Sequence, residues 1–273
     1  MRASDLTWFG LRTAPFSKEV ADDDLWLPSS KVQLVDDLVE ALEARASVLL
    51  TGEPGVGKTC VLRALRKRLA PEVFRLTYCH NATLGRRDFY RQLCLTLGLA
   101  PSATAAAVFY AVSTHVEELG RERIHPVFLL DESHLLHQDV LDHLHILTNY
   151  EWDSRAVLSL ILVGLPETKQ RLMLAKNRSL WSRVHARLSL GEATPGDTNE
   201  YVSHRMKRAG CEREVFTSDA LALLHEDAKG RLRDIDRIAT DALKLAAKRK
   251  HKTIDRELVG RILADADSLD GGE

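Results

Sequence analysis

The chain has 273 residues, enough for one large domain or two unequal ones, and 45% hydrophobic with 28% charged residues excludes extended disorder. With 38 Lys and Arg against 39 Asp and Glu, the formal net charge is -1, so no global field draws it onto nucleic acid or an anionic membrane, and any such contact must be a local patch. The cysteines Cys60, Cys79, Cys94 and Cys211 lack C-x-x-C spacing, and no apolar run approaches the roughly 20 residues that span a bilayer, so the expectation is a reduced, cytoplasmic protein with no membrane contact.

Residues 1–30 form an aromatic-rich leader, with Trp8-Phe9-Gly10-Leu11, Pro15-Phe16 and Leu25-Trp26-Leu27, expected to lie as an arm along the main domain. From Ser30 to Arg45 the residues Val32, Leu34, Val35, Leu38, Val39 and Leu42 recur at helical spacing. A short apolar strand, Ala46 to Leu50, then leads through Gly52–Thr59 into a helix marked by Val61, Leu62, Leu65 and Leu69. Val73 to Tyr78 reads as a second strand. Helices near Arg87 to Leu97 and Ala105 to Leu119 form a crossover that mimics a helix-turn-helix. Val127 to Leu130 is a wholly apolar third strand, and Ala156 to Val163 a fourth. Alternating strands and helices predict a mainly parallel sheet over 31–194. Beyond Pro195 only helices are expected, giving a small helical domain over 195–267 and a disordered tail at 268–273.

Chemistry concentrates at two of the strand ends. Gly52-Glu53-Pro54-Gly55-Val56-Gly57-Lys58-Thr59 fits G-x-x-x-x-G-K-[ST] between a strand and a helix, with Cys60 following. Glycines let successive N–H groups turn around an anion, Lys58 adds a cation near the β- and γ-phosphates, and Thr59 offers a hydroxyl to Mg²⁺. Val127-Phe128-Leu129-Leu130-Asp131-Glu132 delivers carboxylates to the sheet's C-terminal edge beside that loop. Asp131 is the candidate metal ligand and Glu132 the general base that polarises water for attack on ATP. An acid pair opening a helix would look the same, but the upstream loop favours the catalytic reading. His137, Asp139 and His143 could converge on a metal, although packing or surface roles are favoured for them. Trp152 and Trp181 read as packing anchors.

These segments resemble the AAA+ ATPases, and among them the branch holding the secretion ATPase ExeA and the transposition ATPases TniB, TnsC and MuB. The resemblance is carried by Phe9-Gly10-Leu11 with Pro15-Phe16, Gly52–Thr59, Leu129–Glu132, Leu162-Val163-Gly164-Leu165-Pro166-Glu167, and Tyr201–Arg205 with Ala209-Gly210. It implies an α/β P-loop NTPase: a three-layer sandwich with a C-terminal helical lid. It also implies ATP with Mg²⁺, and a homo-oligomer, ring or filament, with the nucleotide between subunits. An arginine from a neighbouring copy would then approach the γ-phosphate, with Arg183 the first candidate and Arg187 the second. Arg233, or Arg231 in its place, would contact the phosphates from the lid. The resemblance departs at Val163-Gly164, where many AAA+ proteins end the strand in a polar residue, so water positioning is expected to differ.

An ExeA-type ATPase is expected to continue into a membrane span and a periplasmic domain, which this chain, ending soon after its lid, does not show. The preferred expectation is therefore a transposition helper that binds double-stranded DNA with ATP and recruits or stimulates a transposase. Local basic clusters support it: Arg63, Arg66, Lys67 and Arg68; Arg86-Arg87; and Lys244 with Lys248-Arg249-Lys250-His251-Lys252. The alternatives are an ExeA-like secretion ATPase, a loader or signalling ATPase acting on a protein partner, and a nucleotide-gated binding module with negligible turnover.

Overall fold

The structure, a computed structural model, describes residues 1–79, 83–100, 104–148 and 156–270. Two compact units emerge. The first comprises Met1–Val32, Pro54–Val61 and Gly191–Glu273, and the second Gln33–Glu53 and Leu62–Leu190.

The second unit is built on five parallel strands: β1 (Ser47–Thr51), β2 (Phe74–Cys79), β3 (His125–Leu130), β4 (Ser159–Gly164) and β5 (Val184–Ser189), in the spatial order β2-β3-β4-β1-β5. Every residue of β1, β3 and β4 is buried, as strands covered on both faces require, whereas β2 and β5 mix buried and exposed positions as edges do. Pro126 is tolerated in a central strand because it pairs with Arg75 on β2 while the β4 pairing starts only at Val127. The fifth strand was not expected from the sequence. His185, Arg187 and Ser189 are exposed along it, so it lacks the apolar run that betrays an inner strand. β4 lies between β1 and β3, so the acid-bearing strand is one strand removed from β1. Leu49, Phe128, Leu130, Leu160 and Leu162 share one core with Phe89, Tyr90 and Leu93 of α4 (Arg86–Thr96), Val108, Val112 and Val116 of α5 (Ala105–Arg121), and Val140, Leu141 and Leu144 of α6 (Gln138–Leu147). The helices α4 and α5 are thus the crossover from β2 to β3.

The first unit has its own core, centred on α11 (Leu232–Lys248). Ile235, Ile238, Ala239, Ala242, Leu243 and Ala246 are buried at helical spacing and form one apolar stripe. Around it lie α9 (Pro195–Arg208), α10 (Ser218–Ala228) and α12 (Arg256–Asp270). The capping box of α9 is complete, with Thr194 Oγ1 accepting from Asp197 N and the Asp197 carboxylate accepting from Thr194 N. Phe9, at the end of α1 (Ala3–Phe9), is buried in this core with Leu11 and Phe16, so the arm's packing partner is the helical unit. Backbone contacts fasten it there: Arg205 Nε donates to Pro15 O at 2.6 Å, and Arg12 N donates to Ala209 O at 2.7 Å.

Candidate nucleotide site

The phosphate loop belongs mostly to the first unit. Gly55 and Gly57 have φ of +83° and +102°, the left-handed region in which a Cβ collides with the backbone. Packing forbids a side chain as well: a Cβ on Gly55 would stand 3.1 Å from Arg233 Cβ, and one on Gly57 3.1 Å from Leu232 Cδ1. The Gly57 carbonyl accepts from Cys60 N at 2.9 Å and Val61 N at 3.1 Å, opening α3 (Lys58–Arg68) directly off the loop. Glycines that admit close approach, a helix N-terminus and the Lys58 ammonium together form a donor set that fits a polyphosphate. The start of α11 closes on the same loop, where Arg233 N donates to Gly55 O at 3.3 Å. Arg231 is held instead by Asp234, with Nε 2.8 Å from its carboxylate. Both arginines stand at the loop, since the same Cβ on Gly55 would lie 3.7 Å from Arg231 Cβ, but the Arg231 guanidinium is turned to Asp234.

Gly52 and Glu53, the first two residues of the motif, belong to the second unit. Gly52 N donates to Gly164 O at 3.1 Å, fixing the exit from β1 to the end of β4. In this unit β3 runs into Asp131 and Glu132. Asp131 is oriented by two donors, Tyr78 Oη at 2.9 Å from the end of β2 and Glu132 N at 2.9 Å. Burial first, and then Asp131 itself, raise the Tyr78 pKa, so the phenol stays a donor. An oriented, half-buried carboxylate suits a hard divalent cation such as Mg²⁺. Glu132 is exposed and adopts φ 52°, ψ 38°, left-handed for a residue with a side chain, and its carboxylate lies 3.5 Å from His134 Nδ1.

Space explains the departure at Val163-Gly164. A Cβ on Gly164 would stand 2.4 Å from Thr168 Oγ1 and 3.0 Å from Ser133 Oγ, so the end of β4 has no room for the polar side chain the resemblance leads one to expect.

The two candidate arginines lie apart from the acids in sequence and differ in their restraints. Arg183, just before β5, donates Nη1 to Ser179 O at 3.2 Å. Arg187, on β5 opposite Leu49, stacks its guanidinium 3.6 Å over Trp181 and donates to the Val184 and Trp181 carbonyls. Trp181 is thus a platform for Arg187. Around His137, Asp139 and His143, for which packing or surface roles were expected, Arg86 N donates to the Asp139 carboxylate at 3.1 Å and Arg86 Nη1 meets His143 Nε2 at 2.6 Å. Among the described residues, no group of three or more His, Cys, Asp or Glu could hold a metal ion. Trp152 lies outside the described residues.

Sequence reasoning missed Tyr78, Ser133 and Arg171 as parts of the acid edge. Ser133 Oγ donates to Val163 O at 2.8 Å, and Arg171 Nη1 donates to His134 O at 2.8 Å. Ser133 stands beside the acids in the motif and could have been flagged. Tyr78 and Arg171 carry no such signal, because strand pairing and the return of a later helix bring them in.

Comparison with known proteins bears on the fold. Residues 40–172 match the family model described as an AAA domain. General secretion pathway protein A of Aeromonas hydrophila is 32% identical over 255 residues, covering 92% of this chain, which spans just under half of that relative at 46%. The Aeropyrum pernix ORC1 protein, solved in complex with DNA, superposes with a TM-score of 0.67 at 20% identity, over 94% of this chain and 69% of that one. Cdc6p of Pyrobaculum aerophilum gives 0.62 at 19% identity, covering 86% and 68%, and the Thermotoga maritima RuvB branch migration motor gives 0.58 at 17%, covering 91% and 72%. At such identities these structures establish the fold, an α/β P-loop NTPase.

Proposed function

We propose that this AAA-domain P-loop ATPase is an ATP-gated DNA-binding helper, which assembles with further copies of itself on double-stranded DNA and recruits or regulates a transposase. The observation that carries the reading is the course of α11. Its N-terminal end packs on the phosphate loop through Arg233 and Leu232, and at the far end of its 17 residues, about 25 Å at 1.5 Å per residue, it opens into an exposed basic run. Lys248, Arg249 and Lys250 are exposed there, and among the described residues none pairs with a carboxylate. Lys252 is anchored, its Nζ 3.9 Å from the Trp8 ring centroid. One helix thus joins the element that would sense phosphates to a surface suited to phosphodiesters. The other basic clusters are weaker candidates, since Arg68 pairs with Asp36 at 2.5 Å and Arg86 with His143.

In this reading Lys58 and the loop amides hold ATP, and Glu132 draws the proton from the attacking water. Thr59 and Asp131 are the proposed magnesium ligands, the ion supplying neutralisation of phosphate charge. Arg233 reports occupancy to the lid, and Arg183, or else Arg187, of a neighbouring copy completes the charge stabilisation.

The test is a gel shift with duplex DNA, with and without a non-hydrolysable ATP analogue, on the wild type and on the triple variant Lys248→Glu, Arg249→Glu, Lys250→Glu. Nucleotide-dependent, salt-sensitive binding that the triple variant loses supports the reading. No ATP-dependent binding at low salt sinks it. A second reading, an ATPase acting on a protein partner as a secretion ATPase does, is favoured by the 32% identity to general secretion pathway protein A. Nucleotide-dependent assembly that is indifferent to DNA would select it.

A further inference from the structure

Glu132 is one of five non-glycine residues at positive φ among the described residues, a conformation that costs a residue with a Cβ some free energy, and here it carries the proposed base. Two grips act on the chain just after it. Ser133, 2% exposed, donates its hydroxyl to Val163 O at 2.8 Å and ties the turn to β4. Arg171 approaches from α7 (Glu167–Met173), donating Nη1 to His134 O at 2.8 Å and Nη2 to Leu136 O, so one planar fork takes two carbonyls of the turn. Among the described residues no carboxylate pairs with this guanidinium.

The backbone that carries the fork is itself held. Asn177, 3% exposed, donates Nδ2 to Arg171 O at 2.8 Å, and its Oδ1 accepts from Gln138 Nε2 at 2.6 Å. Gln138 opens α6, the helix that resumes after the turn. The circuit therefore runs from α7 to the turn, on to α6, and back through Asn177 to α7. Asn177 also directly precedes α8 (Arg178–Trp181), which leads to Arg183 and Arg187.

We infer that Arg171 is a positioning residue for ATP hydrolysis: its fork, with the Ser133 hydroxyl, keeps the turn after β3 in the one conformation that aims the Glu132 carboxylate. Lysine cannot replace it, because an ammonium is a point donor and does not span two carbonyls in a plane. The inference rests on Glu132 being the general base.

The experiment measures kcat, KM, ATP affinity and melting temperature for Arg171→Lys, Ser133→Ala, Glu132→Gln and the double variant Arg171→Lys/Glu132→Gln. A folded Arg171→Lys protein is expected to lose about 10- to 100-fold in kcat, as misplacement of a reacting group by about 1 Å does, with KM and ATP affinity held. In the Glu132→Gln background the same substitution is expected to cost nothing further, because its effect passes through the missing carboxylate. A folded Arg171→Lys protein with wild-type kcat, or losses that multiply in the double variant, overturns the inference and leaves the base assignment standing. Wild-type turnover in Glu132→Gln instead removes the base assignment, and the inference with it. Should Arg171→Lys fail to fold, Ser133→Ala decides by the same criteria.

Discussion

The phosphate loop of the first unit and the acid turn of the second both use left-handed backbone, and they do so by opposite means. Gly55 and Gly57 reach φ of +83° and +102° without a Cβ, and α11 fills the space beside them. Glu132 reaches φ 52° with its side chain in place, and the turn after it is gripped by Ser133 and Arg171. Where the backbone amides are the reagent, glycine removes the obstacle. At Glu132, the proposed base, the side chain stays and hydrogen bonds from elsewhere in the fold hold the turn instead.

Substitutions that separate the two devices should give separable defects. Glu132→Gln removes the proposed proton acceptor and leaves the loop intact, so kcat should fall by about 10² to 10⁴ while ATP affinity stays near wild type. A phosphate-release assay paired with nucleotide titration reads both. Gly55→Ala attacks the other device. Its Cβ meets Arg233 Cβ at 3.1 Å at a φ that costs an L-residue about 1–2 kcal/mol, so affinity should weaken roughly 5- to 30-fold, and hydrolysis at saturating ATP should suffer less.

The first unit also contains polar restraints, and these set the scale of smaller effects. Tyr201 Oη donates to the Asp236 carboxylate at 2.6 Å, and burial pushes the Asp236 pKa up to about 6 from 3.8. The folded state therefore binds this proton more tightly than the unfolded chain, a contribution fully present below about pH 4 and lost as pH rises through about 6. Asp236→Asn should stabilise the protein at pH 8 relative to pH 4, compared with wild type, by on the order of 2 kcal/mol. Urea midpoints at the two pH values check it. Thr194→Ala removes the cap of α9 and should cost about 1 kcal/mol with catalysis unchanged, read from the same unfolding curves.

Much of this was legible in the sequence, for identifiable reasons. The loop and the acids lie in contiguous motifs whose chemistry depends on residue type and spacing, so Gly52–Thr59 and Asp131-Glu132 announce themselves. The inner strands do too, since burial on both faces leaves unbroken apolar runs such as Val127–Leu130. β5 was hidden because an edge strand needs only one covered face, and its Val184-His185-Ala186-Arg187 reads as surface. Tyr78 and Arg171 were hidden because each acts on a residue more than 35 positions away, through pairing of β2 with β3 and return of α7, which no local pattern encodes. The single glycine at 164 was noticed only as a missing polar group. Its reason lies in the tertiary fold, where the hydroxyls of Thr168 and Ser133 crowd the place a Cβ would take.

The central claim is that the Pro54–Thr59 loop is a phosphate receptor whose charge comes from Lys58. Calorimetric titration of Mg-ATP into the wild-type chain and into Lys58→Ala tests it most directly. Saturable binding by the wild type is expected, with affinity weakened roughly 10- to 150-fold in the variant, the loss of a hydrogen bond to a charged group. Equal affinity in the two proteins, or no heat of binding in the wild type, would contradict it.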